Sequence, residues 1–139
     1  MIHHIHHALN LVAILVSAVI LWVLGAIWYS PALFAKPWMQ ILGLKKDESK
    51  KSSLYLGMIA SFVGDFILAF VLAHIIVWSN ATGFGWGAVI GVLVWIGFFA
   101  APSLPQNIYE GRPFKLFAIN NGYWLVGLII VGGLLASWR

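Results

Sequence analysis

The sequence predicts an all-α integral membrane protein, a four-helix bundle with a short interfacial helix in its first cytoplasmic loop. Three observations carry this expectation. Of 139 residues, 62% are hydrophobic and only 9% charged, against roughly 25% charged in an ordinary soluble domain. The apolar residues outnumber the core positions that so small a chain can bury, and the surplus has to face lipid. They are gathered into four long apolar runs, each near the ~20 residues that cross roughly 30 Å of hydrocarbon at 1.5 Å per residue. These runs of Leu, Ile, Val, Ala and Gly show no strand-like alternation, so helices are the spanning structure that satisfies their backbones.

The spans of this single domain, 1–139, fall at about 8–29, 53–78, 84–101 and 114–138. Trp28, Tyr29, Tyr55, Trp78, Trp86 and Trp138 stand at their ends, where amphipathic rings settle at headgroup level. The first span follows a segment without the basic n-region of a signal peptide and is expected to stay in the mature protein. Between the first two spans, Pro37 suits a helix start and Gly43 a C-terminal cap, and the apolar residues between them predict a short helix at the membrane surface. The connection Ser79 to Gly83 is short and uncharged, which predicts a tight antiparallel hairpin of the second and third helices. Pro102, Pro105 and Pro113 are expected to stop the third helix, hold an extended connection and start the fourth.

Orientation follows from the basic residues. Lys36, Lys45, Lys46, Lys50 and Lys51 lie in the first loop and Arg112 and Lys115 in the third, against Arg139 alone on the other side. That asymmetry places both loops in the cytoplasm and both termini outside. Lys45, Lys46, Lys50 and Lys51 are the residues expected to meet anionic lipid headgroups. With a net charge of +4 but no folded aqueous domain, nucleic acid is not an expected partner.

Gly25-Ala26-Ile27-Trp28-Tyr29-Ser30-Pro31, Leu33-Phe34-Ala35-Lys36-Pro37-Trp38 and Glu110-Gly111-Arg112-Pro113-Phe114-Lys115-Leu116-Phe117, leading into Ile119-Asn120-Asn121-Gly122-Tyr123-Trp124, make the chain resemble the bacterial membrane family catalogued as domain of unknown function 1761. The resemblance covers essentially the whole chain. It implies a small four-helix membrane protein and brings no assigned reaction; the location expected is the bacterial inner membrane.

Asp65 is the one charged residue deep inside a span, about 12 residues or roughly 18 Å from the helix start. Such a group is a functional candidate by default. One reading is a proton- or cation-handling carboxylate. The other is a neutral carboxyl held by a neighbouring helix, with Ser61, Trp95 and Tyr123 as candidate donors. Gly57, Ala60, Ser61 and Gly64 share an arc bordered by Asp65, a small-residue face of the kind that packs against other helices. On the fourth helix Asn120, Tyr123, Trp124 and Gly127 share one face, with Asn121 beside it; amides are costly against lipid, so this face is expected to turn inward. Asp65, Ser61, Asn120 and Tyr123 thus form the expected intramembrane polar cluster. Gly83, Gly87 and Gly91 make a seam for close helix contact.

His3, His4, His6 and His7 crowd the N-terminus. His3 and His7, at i and i+4, are weak metal-ligand candidates, and the plainer reading is a polar cap at the membrane surface. Cysteine is absent, which excludes disulfides and thiolate metal sites. No phosphate-binding glycine loop, nucleophile elbow or H-E-x-x-H motif occurs. No catalytic residue or cofactor is therefore expected. The function expected is association through helices, as a homo-oligomer or as a subunit of a larger membrane complex, and the alternative is a small transporter or channel lined by Asp65.

Overall fold

The computed structural model describes residues 9–43 and 51–138, with side chains described from Leu54 onward in the second stretch. Its elements are α1 (Leu11–Trp28), α2 (Ala35–Leu42), α3 (Lys51–Ser79), α4 (Phe84–Val94), a π-helical turn (Trp95–Ala100), α5 (Ala101–Tyr109) and α6 (Phe114–Ser137). No strand occurs among the described residues. Four stretches are long and apolar enough to cross a membrane: Leu11–Trp28, Leu54–Ser79, Phe84–Tyr109 and Phe114–Ser137.

Each end has a local cause. Asn10 caps α1, its side-chain oxygen accepting from the Ala13 amide at 3.1 Å, which satisfies one of the free N–H groups of a helix start. α2 begins at Ala35, two residues before the expected Pro37, and ends on Gly43 in the left-handed region at φ 70°, where glycine carries no Cβ penalty. The turn after α3 places Asn80 at φ 58° and Gly83 at φ 85°.

The third span departs from expectation. Pro102 and Pro105 lie inside helix rather than ending it, and the helical path from Phe84 continues to Tyr109. A proline inside an α-helix deletes one backbone bond and crowds the preceding turn. Here the π turn comes first: the Ala101 amide donates to the Ile96 carbonyl, five residues back. The looser turn lets Pro102 enter in the first turn of a new α segment, where its missing N–H is least costly. Pro113 lies just outside α6 as its N-cap.

α6 is the centre of the bundle, with half of its span buried against about a tenth for the third span. α4 packs along α6, α1 packs between α3 and α6, and α4 touches α3 only slightly. The expected tight hairpin of the second and third helices is thus a short turn whose helices diverge, because the glycine seam draws α4 onto α6. A Cβ on Gly87 would overlap the Gly132 carbonyl, and one on Gly91 the Leu128 carbonyl. Gly83, the third member of that seam, instead donates its amide to the Ala136 carbonyl at 3.3 Å. Ile14, Leu21, Ile76, Leu128 and Val131 fill the core.

Candidate functional site: a membrane-level cavity ending at Asp65

At the end of the bundle that carries Lys36, Arg112 and Lys115, the stretches quoted above come together. The Trp28 indole donates to the Ile119 carbonyl at 2.9 Å, and the Tyr29 hydroxyl donates to Asn120 Oδ1 at 2.7 Å. Phe34 lies against Trp28 with ring centroids 4.9 Å apart, and Trp38 stands edge-on to Tyr29 at 5.3 Å. A Cβ on Gly122 would come within 3.2 Å of the Trp28 ring, and one on Gly25 within 3.3 Å of the Tyr123 hydroxyl. Small residues at 25 and 122 therefore allow the end of α1 to dock on α6. Burial pushes the Tyr29 phenol up to about 12, so it remains a hydrogen-bond donor at physiological pH.

Docking α1 on α6 leaves space between α1 and α3. A cavity of about 950 Å³ occupies it, with Trp22 and Tyr29 on one side, Gly57 and Ser61 on the other, and Tyr123 and Trp124 as its floor. Its wall is incomplete: Val23, Ala26 and Ile27 of α1 and Leu54, Gly57 and Ser61 of α3 are exposed. The Gly57–Gly64 face, expected to pack against another helix, instead looks into open space, and a Cβ at either glycine meets nothing within 4 Å.

Asp65 lines this cavity and is 4% exposed. None of the expected donors serves it. The Trp95 indole donates to the Asn121 carbonyl at 2.8 Å, and the Tyr123 hydroxyl donates to the Leu21 carbonyl at 2.7 Å. Ser61 is exposed on the cavity wall and makes no hydrogen bond to it. Asp65 thus has no hydrogen-bond or ion-pair partner among the described residues.

The polar face of α6 does turn inward. Asn121 and Tyr123 are buried, Asn120 is half-buried, and Gly127 lies under the Leu21 side chain. Asn121 is satisfied locally, donating to the Phe117 carbonyl at 3.2 Å. The polar cluster expected from the sequence is therefore divided: Asp65, Ser61 and Tyr123 face one cavity, and Asn120 faces a second of about 260 Å³ with Asn107 and Gln106 of α5. Phe99 and Trp124 line both, their rings 5.2 Å apart. Sequence reasoning missed Trp22, Trp38 and Phe99 as cavity residues, because in the sequence they are aromatic members of apolar stretches with no spacing that sets them apart.

Lys45, Lys46, Lys50, His3, His4, His6 and His7 lie outside the described residues, as does the side chain of Lys51. No group of three metal-ligating side chains occurs among the described residues. His74 contacts the Phe70 carbonyl through Nδ1 at 2.8 Å and lies between the Phe70 and Trp78 rings.

Three long apolar stretches gathered on a half-buried fourth, each long enough to cross a membrane, with a largely apolar cavity among them, are the make-up of a small helical membrane protein. Residues 12–136 match the family described as Protein of unknown function (DUF1761), and the chain belongs to it. No curated protein and no solved structure matches the chain.

Proposed function

We propose that the protein is a non-catalytic membrane protein that takes a small bilayer-borne molecule into the cavity between α1 and α3, as the binding step of a small transporter or carrier. The observation that supports this is the cavity itself: about 950 Å³, largely apolar and aromatic, open between two helices and closed by one carboxyl. That is the size and character of a small-molecule site, a mainly apolar pocket with few polar groups. The lysine asymmetry supports an inner-membrane orientation with the cavity in the cytoplasmic half and both termini outside. Lys45, Lys46, Lys50 and Lys51 are proposed to rest on anionic headgroups.

The test is energy transfer from the cavity tryptophans to 1-phenylnaphthylamine, a neutral apolar fluorophore. Saturable transfer in wild type that is lost in Gly64→Leu supports the reading. Transfer that grows linearly with probe and is equal in both proteins overturns it.

A second reading is supported by the open Gly57, Ser61 and Gly64 face, since small residues let helix backbones approach closely. In that reading a helix of a second copy or of a larger complex covers the cavity mouth. Cross-linking of a cysteine placed at Gly57 distinguishes the two: efficient disulfide dimers in membranes favour association, and their absence favours the small molecule.

A further inference from the structure

We infer that the molecule taken into this cavity is a lipophilic organic cation, and that Asp65 is its counter-ion. The inference rests on the cavity reading above and names the ligand class of the same site. Asp65 falls near the middle of the stretch Leu54–Ser79, buried, without a hydrogen-bond or ion-pair partner among the described residues, and lining the cavity. Charged residues at that depth face the bundle interior or a cavity and pair with another charge. No Lys, Arg or His lines this cavity among the described residues, so the pairing charge has to arrive with the ligand.

The rest of the lining narrows the class. Trp22, Tyr29, Trp38 and Trp124 present aromatic surface, which attracts diffuse positive charge through the ring faces and accommodates an apolar body. A hard metal ion needs about six oxygen ligands. Here the side-chain oxygens are the Asp65 carboxylate and the Ser61, Tyr29 and Tyr123 hydroxyls, fewer than such an ion takes, and the two phenols already donate their protons to Asn120 and Leu21. An anion would meet the carboxylate with like charge, and a neutral molecule would leave it unpaired. A phosphonium, a quaternary ammonium or a protonated amine on an aromatic body satisfies both the carboxylate and the rings.

The experiment uses the full-length protein in zwitterionic bicelles, with tetraphenylphosphonium and tetraphenylborate as probes of one shape and opposite charge. Each is titrated as a competitor of bound 1-phenylnaphthylamine. The expected result is that the phosphonium displaces the fluorophore at a concentration about tenfold or more below that of the borate. Asp65→Asn abolishes that preference while still binding the neutral fluorophore, and Asp65→Glu retains it. Affinity for the phosphonium should rise with pH in wild type, because a proton competes for the same carboxyl, and stay flat in Asp65→Asn. The other titratable groups facing the cavity are the Tyr29 and Tyr123 phenols, which remain neutral between pH 5 and 9. Equal displacement by both probes, or a preference that survives in Asp65→Asn, overturns the cation assignment and leaves the cavity reading standing. A wild type that never binds the neutral fluorophore overturns both.

Discussion

The Tyr123 hydroxyl donates to the backbone carbonyl of Leu21 at 2.7 Å, a buried bond that ties the middle of α6 to the middle of α1. Carbonyls within an α-helix already accept from the amide four residues on, so this is a second bond made with the remaining lone pair. It also commits the phenol that stands nearest in role to a partner for Asp65. Tyr123→Phe should lower bundle stability by about 0.6–1.7 kcal/mol, the range for interhelical hydrogen bonds in membranes. Unfolding from mixed micelles with a denaturing detergent measures it, and an unchanged midpoint would show that the bond contributes nothing net.

Gly91→Ala should cost about 1–3 kcal/mol or more, because the added Cβ overlaps the Leu128 carbonyl, which is backbone and yields only if α4 and α6 separate. Gly85→Ala on the same helix meets open space and should be near neutral. Equal effects of the two substitutions in thermal unfolding would contradict the seam.

Asp65→Leu and Asp65→Asn should both preserve the fold. One reading of the sequence has the Asp65 carboxyl held by a neighbouring helix, but among the described residues Asp65 has no such bond to lose. Removing a charge near the bilayer midplane should leave stability unchanged or raise it by about 1–3 kcal/mol. A clear fall in the unfolding midpoint of Asp65→Leu would show that a partner is present after all.

Tyr29 provides a pH-dependent test. Its phenol is pushed up from 10.0 to about 12 by burial, so the folded state holds this proton more tightly than the unfolded chain. The resulting stability is fully present below pH 10 and is lost as pH rises towards 12. Tyr29→Phe should therefore flatten part of the alkaline loss measured between pH 10 and 12, while also losing the Asn120 bond at neutral pH. An alkaline limb identical to wild type would place the titration elsewhere.

The four spans were legible because a period-free apolar run of that length has few other uses in a short chain. The glycine seam was legible at Gly87 and Gly91 for the same local reason, a four-residue spacing that lines one face. The inward face of α6 could be read from the cost of amides in lipid. What could not be read depends on how helices lie against one another. Pro102 and Pro105 signalled a helix end only on the assumption of unbroken α register, and the π turn at Trp95–Ala100 removes that assumption. Gly57 and Gly64, with Ser61 between them, carried a small-residue packing signal of the same kind as Gly87 and Gly91, yet one pair meets a helix and the other meets a cavity. The cavity lies between α1 and α3 where Trp28 and Tyr29 dock on α6 and Trp22 reaches across to the Met58 carbonyl. No spacing within either helix encodes it.

The burial of α6 bears on the order in which the protein is made. Three of the four membrane stretches precede it in the chain, and each of them finds its main neighbour or closes its core on α6. Synthesis runs from the N-terminus, so α1 and α3 enter the bilayer able to pair with each other while α4 has its seam glycines turned toward lipid. The bundle closes when the last helix slides in beside them. A ribosome-bound intermediate ending before Phe114 would hold an unpaired Gly87 and Gly91 surface.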